Sequence, residues 1–526
     1  MLDDLGMFVR FCSGLVPFLS EPLNPVQCRM RVADAFAIRN KSFLHLIKRG
    51  IFENSKSPYR KLFGYYGCEF GDVEKLILSV GIEETLDLLY EEGVRITLDE
   101  FKGKKTIRRH GLEIEVTDND FDNPLMTKHY EGTTGGSRGV GRRLVIDLNM
   151  LAHEAAHLFL HYADFGVIDH PTALWLTVPP GTAGMKSVLR HLKAGMPVEI
   201  WFSHTTPFLQ QGNLKPYIFL NTVNILSRIL RTPFVVPNYT PLSDALRVIH
   251  WLETIKRKGQ TPTLLTTVGS GTRACITAKD KGIDISGTFL RVMGEPLTPK
   301  REQIFAQAGC QVRCSYSMSE TGIIALPCNK ASQVDDVHVL QDKIALIEKE
   351  IPVGENNFLV NALYITTLMT ASPKIMLNVE SGDQAVMERR DCTCTLGKMG
   401  FDQHLHTIRS YEKLTSEGMT FYGEDLIRLI EQILPQQYGG NPTDYQFVEE
   451  EIEGQLKVQL YVSPRIGNID NSKLTNTVLN HLAKGHNYRK MMTEVWKQSQ
   501  TVQITRREPL STGVAKILPL HILRNE

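Results

Sequence analysis

No run of about 18 uncharged apolar residues occurs in the 526-residue chain, so no membrane-spanning helix is expected. The first twenty residues are mildly apolar. Asp3, Asp4 and Arg10 interrupt them and no A-x-A site follows, so they do not read as a signal peptide. An excess of one charge is missing too. The 59 Lys and Arg against 58 Asp and Glu leave a net charge of +1, and nothing global recruits nucleic acid or an anionic membrane. Nine Cys in a chain this long exclude a disulfide framework and fit a reducing, cytoplasmic setting with some thiols on a metal. Two common nucleotide signatures are also lacking. The glycine-rich stretch is not G-x-x-x-x-G-K-[ST], and no strand leads into G-x-G-x-x-G.

What is present is an ordinary globular composition, 42% hydrophobic and 22% charged, spread over more residues than one core usually holds. Two or more domains are expected. The distinctive stretch is Glu131-Gly132-Thr133-Thr134-Gly135-Gly136-Ser137-Arg138-Gly139. Gly135 and Gly136 let a ligand approach the backbone, and the N–H groups and hydroxyls around them suit a polyphosphate. A plain surface turn has the same composition.

Residues 1–110 read as mostly helical, with Leu76, Ile77, Val80, Ile82, Leu86 and Leu89 at roughly helical spacing. Leu144–Tyr162 reads as one helix. It contains His153-Glu154-Ala155-Ala156-His157, an H-e-x-x-H pattern that places two imidazoles on one helix face, as in a zinc protease. A packed helix with histidines on one side is the simpler reading. From 163 to 300, helical segments alternate with the short apolar runs PVEIWF, YIFLN, PFVVP, TPTLLTTV and ISGTFLRVMG. This argues for an α/β domain with parallel strands and a ligand site beyond their carboxyl ends. Cys328, His338, Cys392 and Cys394 offer three thiolates and an imidazole, a set suited to tetrahedral structural zinc, with buried free thiols as the alternative. Beyond about 408 the character changes. An amphipathic helix over Glu424–Leu434, the strand LKVQLYV and a helix over Lys473–His486 make up a smaller unit.

Gly-Thr-Thr-Gly-Gly-Ser-Arg resembles the phosphate loop of the adenylate-forming enzymes, which include acyl-CoA synthetases, peptide-synthetase adenylation domains and luciferases. Ser137 stands where the family has Pro, and Arg138 where Lys is commoner. Residues 58–103 resemble the phenylacetate-CoA ligase-like branch, which also carries a Cys…His…Cys-x-Cys set in this order. The resemblance implies a large N-terminal α/β domain over 1–408, of mixed sheets with helices, and a small mobile α+β lid over 409–526. It implies ATP, Mg²⁺ and a thiol acceptor, either coenzyme A or the pantetheine of an acyl carrier protein, with a structural Zn²⁺ and a homodimer as further expectations.

The same resemblance assigns roles. Thr133, Thr134, Gly135, Gly136, Ser137 and Arg138 would hold the phosphates. Gly294, Glu295, Pro296 and Tyr316 would lie against adenine, beside Ser319, with Glu320 on Mg²⁺. Asp383 would accept both ribose hydroxyls, and Arg409 begins the hinge. Lys516, in Gly513-Val-Ala-Lys516, would reach the acyl carboxylate and the α-phosphate. Ser317, Met376, Leu377, Tyr411 and Glu412 depart from the family pattern. A degenerate protein that binds nucleotide or acyl ligand without chemistry is therefore the alternative to an ATP-dependent acid–thiol ligase. His204, Phe208 and Tyr239 fall in the region of the acyl pocket.

Overall fold

The computed structural model describes residues 2–134, 142–179, 181–205, 215–353, 358–411, 415–416, 419–420, 423–484, 487–510 and 520–522. The chain opens with seven helices: α1 (Leu2–Ser20), α2 (Pro25–Ala37), α3 (Arg39–Ile47), α4 (Pro58–Tyr65), α5 (Phe70–Val80), α6 (Ile82–Glu91) and α7 (Leu98–Phe101). Local chemistry starts them. Asn24 accepts from Gln27 N–H while Gln27 returns a bond to Asn24 N–H, and Pro25 fills the first turn of α2. Two small hairpins follow, β1 (Ile107–Arg109) with β2 (Leu112–Ile114), and β3 (Tyr130–Thr134) with β4 (Arg142–Ile146).

Next comes α8 (Leu148–Phe165), started by the Asp147 carboxylate accepting from Asn149 N–H and ended at Gly166 with φ 68°. The segment read as one helix from Leu144 is thus a strand to Ile146 and a helix from Leu148, because Asp147 caps it. The α/β layer then runs through β5 (Thr172–Trp175), α9 (Ala183–Lys193), β6 (Ile200–Ser203), α10 (Lys215–Ile229), β7 (Pro237–Tyr239), α11 (Ala245–Arg257), β8 (Thr263–Thr267), α12 (Val268–Asp280), β9 (Phe289–Met293), α13 (Pro299–Gln307) and β10 (Gln311–Met318). YIFLN, expected among the β-rich runs, lies in α10. Leu220 and Val223 are buried while Tyr217 and Ile218 are exposed, so burial follows a helix face that a short apolar run does not reveal.

The remaining strands are β11 (Gly322–Leu326), β12 (Val337–Val339), β13 (Ile344–Val353), β14 (Phe358–Thr367), β15 (Val379–Arg389) and β16 (Gln403–Ser410). One twelve-stranded sheet takes them in, in the order β13-β14-β15-β16-β12-β11-β10-β9-β8-β5-β6-β7. From β7 to β10 the pairing is parallel. From β10 onward it is antiparallel. The change of sense falls at the tight β10–β11 turn, where Met318 pairs with Gly322 and Glu320 lies at the tip.

After a short hairpin, β17 (Thr415–Ser416) with β18 (Met419–Thr420), come α14 (Gly423–Arg428) and α15 (Leu434–Tyr438). A separate four-stranded sheet is built from β19 (Tyr445–Ile452), β20 (Gln455–Val462), β21 (Val502–Arg506) and β22 (Leu520–Ile522), in the order β21-β20-β19-β22. It is backed by α16 (Asn471–Leu482) and α17 (Asn487–Gln498). Its apolar residues Leu460, Val478 and Trp496 share one buried cluster with Val268, Phe305 and Leu290 of the large sheet region. No described helix is long and apolar enough to cross a membrane.

Candidate active site

Parallel strands point their carboxyl ends to one edge, and there the sequence places polar residues rather than apolar ones. Just beyond β6 stands His204, buried, its ring edge-on to Trp175 at 5.2 Å and its Nε2 3.3 Å from Ser270 Oγ. At the end of β8, Thr267 accepts from Ser270 N–H and so starts α12. Beyond β9 lies Gly294 with φ 84°, a backbone turn that favours glycine. Tyr239 closes β7 and is exposed.

Glu295 follows Gly294, and its carboxylate is committed. One oxygen is 2.9 Å from Arg301 Nη1 and the other accepts from Gly269 N–H, with both side chains fully buried. Arg301 also donates to Pro296 O and, at 2.9 Å, to Gly454 O in the β19–β20 turn of the smaller sheet. What Gly294-Glu295-Pro296 offers a ligand is therefore backbone. The same segment is tied to the small domain, where Gln455 Nε2 also donates to Gly269 O and Thr298 donates to Glu451.

Two predicted site residues far apart in sequence meet. Tyr316, on β10, donates its hydroxyl to Asp383 Oδ2 on β15 at 2.8 Å. Burial first, then the Asp383 charge, raise the phenol well above its ordinary value. Ser381 Oγ accepts from Asp383 N–H and fixes the turn. Beside them Asp383 pairs with Ser410 across β15–β16, and Gln384 with Arg409, whose guanidinium donates to Asp335. Tyr411 follows and donates to Glu380 at 2.7 Å.

Glu320 occupies the turn that closes β10. Among the described residues its carboxylate makes no hydrogen bond or ion pair, and it is half-buried. The turn itself is gripped from behind. Glu154 Oε1, on α8, accepts from Ile323 N–H at 2.7 Å and from Lys343 Nζ at 2.7 Å. Lys343 Nζ also donates to Thr321 O at 3.0 Å. Arg190, on α9, donates to the other Glu154 oxygen at 2.7 Å. Burial alone would push Glu154 up, but Arg190 and Lys343 hold its carboxyl well below the usual carboxylate range. Gly322, with φ +74°, fits because a Cβ there would lie 2.0 Å from Glu154 Oε1.

That arrangement decides the H-e-x-x-H motif. His153 Nε2 and His157 Nε2 lie 2.6 and 2.8 Å from one Asp342 oxygen, all three buried. Glu154 faces away, saturated by two cations and an amide, so it is no general base and the protease reading does not fit. Sequence reasoning missed Asp342, Arg190 and Lys343. Glu154 and Lys343 are 189 residues apart and no local pattern links them.

The thiol set does assemble. Cys328 Sγ, His338, Cys392 Sγ and Cys394 Sγ lie within 4.8 Å of one another. Lys330 N–H donates to Cys328 Sγ and Gly397 N–H to Cys394 Sγ, at 3.4 and 3.3 Å. Hydrogen bonds from Cys328 and from His338 hold the Cys394 thiol far below its ordinary value. Behind the set, the His338 ring lies 3.8 Å from that of His404, which bonds to Asp336.

Thr133 and Thr134 end β3. Gly135, Gly136, Ser137, Arg138, Phe208, Glu412, Gly513 and Lys516 lie outside the described residues.

Several solved structures are similar to this chain. A crystal structure of 2-hydroxyisobutyryl-CoA ligase, in complex with 2-HIB-AMP and CoA, covers 96% of this chain and 94% of its own, with 14% identity and a TM-score of 0.55. This chain shares the fold of an acyl-CoA ligase. A double mutant of o-succinylbenzoate CoA synthetase from Bacillus subtilis, bound with a product analogue, covers 86% and 85% with 12% identity and a TM-score of 0.43. No family model and no curated protein matches the chain. The large mixed α/β sheet with a smaller separate sheet is the architecture expected from the sequence.

Proposed function

We propose that the protein is an ATP-dependent acid–thiol ligase of the adenylate-forming superfamily. The observation that carries this reading is the Tyr316–Asp383 contact on the edge that also presents Gly294 and Glu320. A ring and a carboxylate there suit an adenosine, with the ring against the base and the Asp383 carboxylate on the ribose hydroxyls. In the first step a carboxylate oxygen attacks the α-phosphorus of ATP, the bond to the β-phosphate oxygen breaks, and pyrophosphate leaves. In the second, a thiol sulfur attacks the acyl carbon, its proton is lost, and AMP leaves. Coenzyme A and a carrier-protein pantetheine are the candidate thiols. The shared fold with a CoA ligase favours coenzyme A.

The chain's own residues act chiefly by placing charge and excluding water. Thr133, Thr134, Gly135, Gly136, Ser137 and Arg138 hold the phosphates, Ser319 supports the Glu320 turn, and Lys516 meets the acyl carboxylate and the α-phosphate. Rotation about Arg409 and Tyr411 withdraws Lys516 before the thiol enters. The Glu320 carboxylate, without a partner among the described residues, fits Mg²⁺, which would neutralise phosphate charge. The assembled Cys328, His338, Cys392 and Cys394 fit Zn²⁺, which would staple the loops after β11 and β15.

The test is acid-dependent pyrophosphate release from Mg-ATP, with hydroxylamine trapping the acyl-adenylate as hydroxamate. A panel of aryl, alkyl, hydroxy and amino acids names the substrate class. Hydroxamate from one acid, lost in Glu320→Ala and in Lys516→Ala, is the expected result. ATP binding without turnover on any acid, free or carrier-bound, would instead mark a degenerate binder.

A further inference from the structure

Lys186 stands early on α9 and is 7% exposed. Among the described residues its ammonium makes no hydrogen bond and no ion pair. Its charged neighbours are Arg190, Glu154, Glu320 and Lys343. Three of these are already engaged, since Arg190 and Lys343 both bind Glu154. Glu320 is the fourth, and it too is without a partner among the described residues. A buried cation with no counter-charge is costly, and desolvation with the nearby Arg190 pulls the Lys186 ammonium down to about 8 in spite of Glu154 and Glu320. A lysine that served only packing would be replaced by an apolar side chain at a gain.

A second orphan lies in the same neighbourhood. Tyr130, on the strand that leads into Thr133 and Thr134, has a buried hydroxyl with no hydrogen-bond partner among the described residues, and it too feels the Arg190–Glu154 pair. Among the described residues, an unpaired ammonium and an unpaired hydroxyl therefore stand near the Arg190–Glu154 pair that grips the Glu320 turn, whose own carboxylate is unpaired. Lys186 and Glu320 carry opposite charges, yet no ion pair joins them. A group carrying both a cation and anionic oxygens satisfies all three at once, with the metal ion on the carboxylate and an oxygen on the ammonium and hydroxyl.

We propose that Lys186 binds an oxygen of the metal-complexed polyphosphate, ATP before the reaction and pyrophosphate after it, with the Tyr130 hydroxyl donating beside it. This rests on the ATP-dependent reading above. It adds to the phosphate loop a cation carried on α9.

The experiment is titration calorimetry of the full chain with Mg-pyrophosphate and with Mg-ATP, on the wild type, Lys186→Met and Tyr130→Phe, with the melting temperature of each. Lys186→Met should bind both at least tenfold more weakly while melting at a higher temperature. Tyr130→Phe should bind Mg-pyrophosphate about threefold more weakly and melt within two degrees of the wild type. Should Lys186→Met fail to fold, Tyr130→Phe carries the test alone. Unchanged Mg-pyrophosphate affinity in both variants overturns the inference and leaves the ATP reading standing, whether the melting temperature rises or falls. A raised KM for the acid with unchanged pyrophosphate affinity overturns it as well, and assigns Lys186 to a carboxylate. A wild type that binds neither Mg-ATP nor Mg-pyrophosphate overturns both.

Discussion

Glu154→Gln tests the buried charge network behind the Glu320 turn. The wild-type carboxylate balances two buried cations, Arg190 and Lys343, and accepts the Ile323 amide. Glutamine keeps the volume and an acceptor for that amide, so the change isolates the charge. Removing one partner of a buried ion pair costs about 3–5 kcal/mol, because the remaining charge stays desolvated without compensation. At a urea slope of about 3 kcal/mol/M that moves the unfolding midpoint down by roughly 1–1.7 M. Tryptophan fluorescence follows it, since Trp175 and Trp201 are fully buried in the large sheet. Glu154→Gln with Lys343→Met should recover part of the loss, because neutral isosteres replace a buried pair at little cost. A coupling energy of about 1 kcal/mol or more is expected from the double-mutant cycle. A single-mutant loss under about 1 kcal/mol, or strict additivity within about 0.5 kcal/mol, would refute the claim that these charges hold one another. Because the network holds Thr321 and Ile323 on either side of Gly322, Glu154→Gln should also weaken Mg-ATP binding.

Gly322→Ala combines a φ of +74° with a Cβ 2.0 Å from Glu154 Oε1, and a loss of about 2–3 kcal/mol in the same urea assay is expected. Tyr316→Phe removes the hydrogen bond to Asp383 and should raise the KM for ATP while costing about 1–2 kcal/mol of stability. Purified protein should carry one zinc per chain by elemental analysis, and Cys394→Ser should lose most of it and melt at a lower temperature. Lys186 has a folded-state pKa of about 8, below its unfolded value of about 10.4, so the unfolded chain holds more protons between those values. Its contribution to stability should accordingly rise as pH climbs from 8 toward 10, and the stability difference between Lys186→Met and the wild type should shrink over that window.

Motifs carried by residue type or by a short run were legible. The cysteine and histidine set was identified from residue types alone, and the structure brings its four members together. The carboxyl-edge site followed from the alternation of helices and short apolar runs. Asp383 and Tyr316 were each picked out by their own short motif, yet nothing in sequence said that they touch. Glu295 shows the opposite case. Its motif was visible, but its carboxylate turned out to hold Arg301 rather than face outward. His153 and His157 were visible as a metal pattern, and only Asp342, 185 residues or more away, shows what they bind.

The sequence by itself determined the two-part α/β organisation, the helical start and the residue types at the site, because hydrophobic period, caps and turn glycines act over a few residues. It misplaced YIFLN among the β-rich runs, since four consecutive apolar residues fit a strand or a buried helix face equally well. The tertiary structure decided which charges find a partner among the described residues. Glu154, Arg190 and Lys343 neutralise one another, while Glu320 and Lys186 do not. That difference is set by distance and burial between segments apart in sequence, 36 residues for Glu154 and Arg190 and 189 for Glu154 and Lys343, which no local pattern encodes.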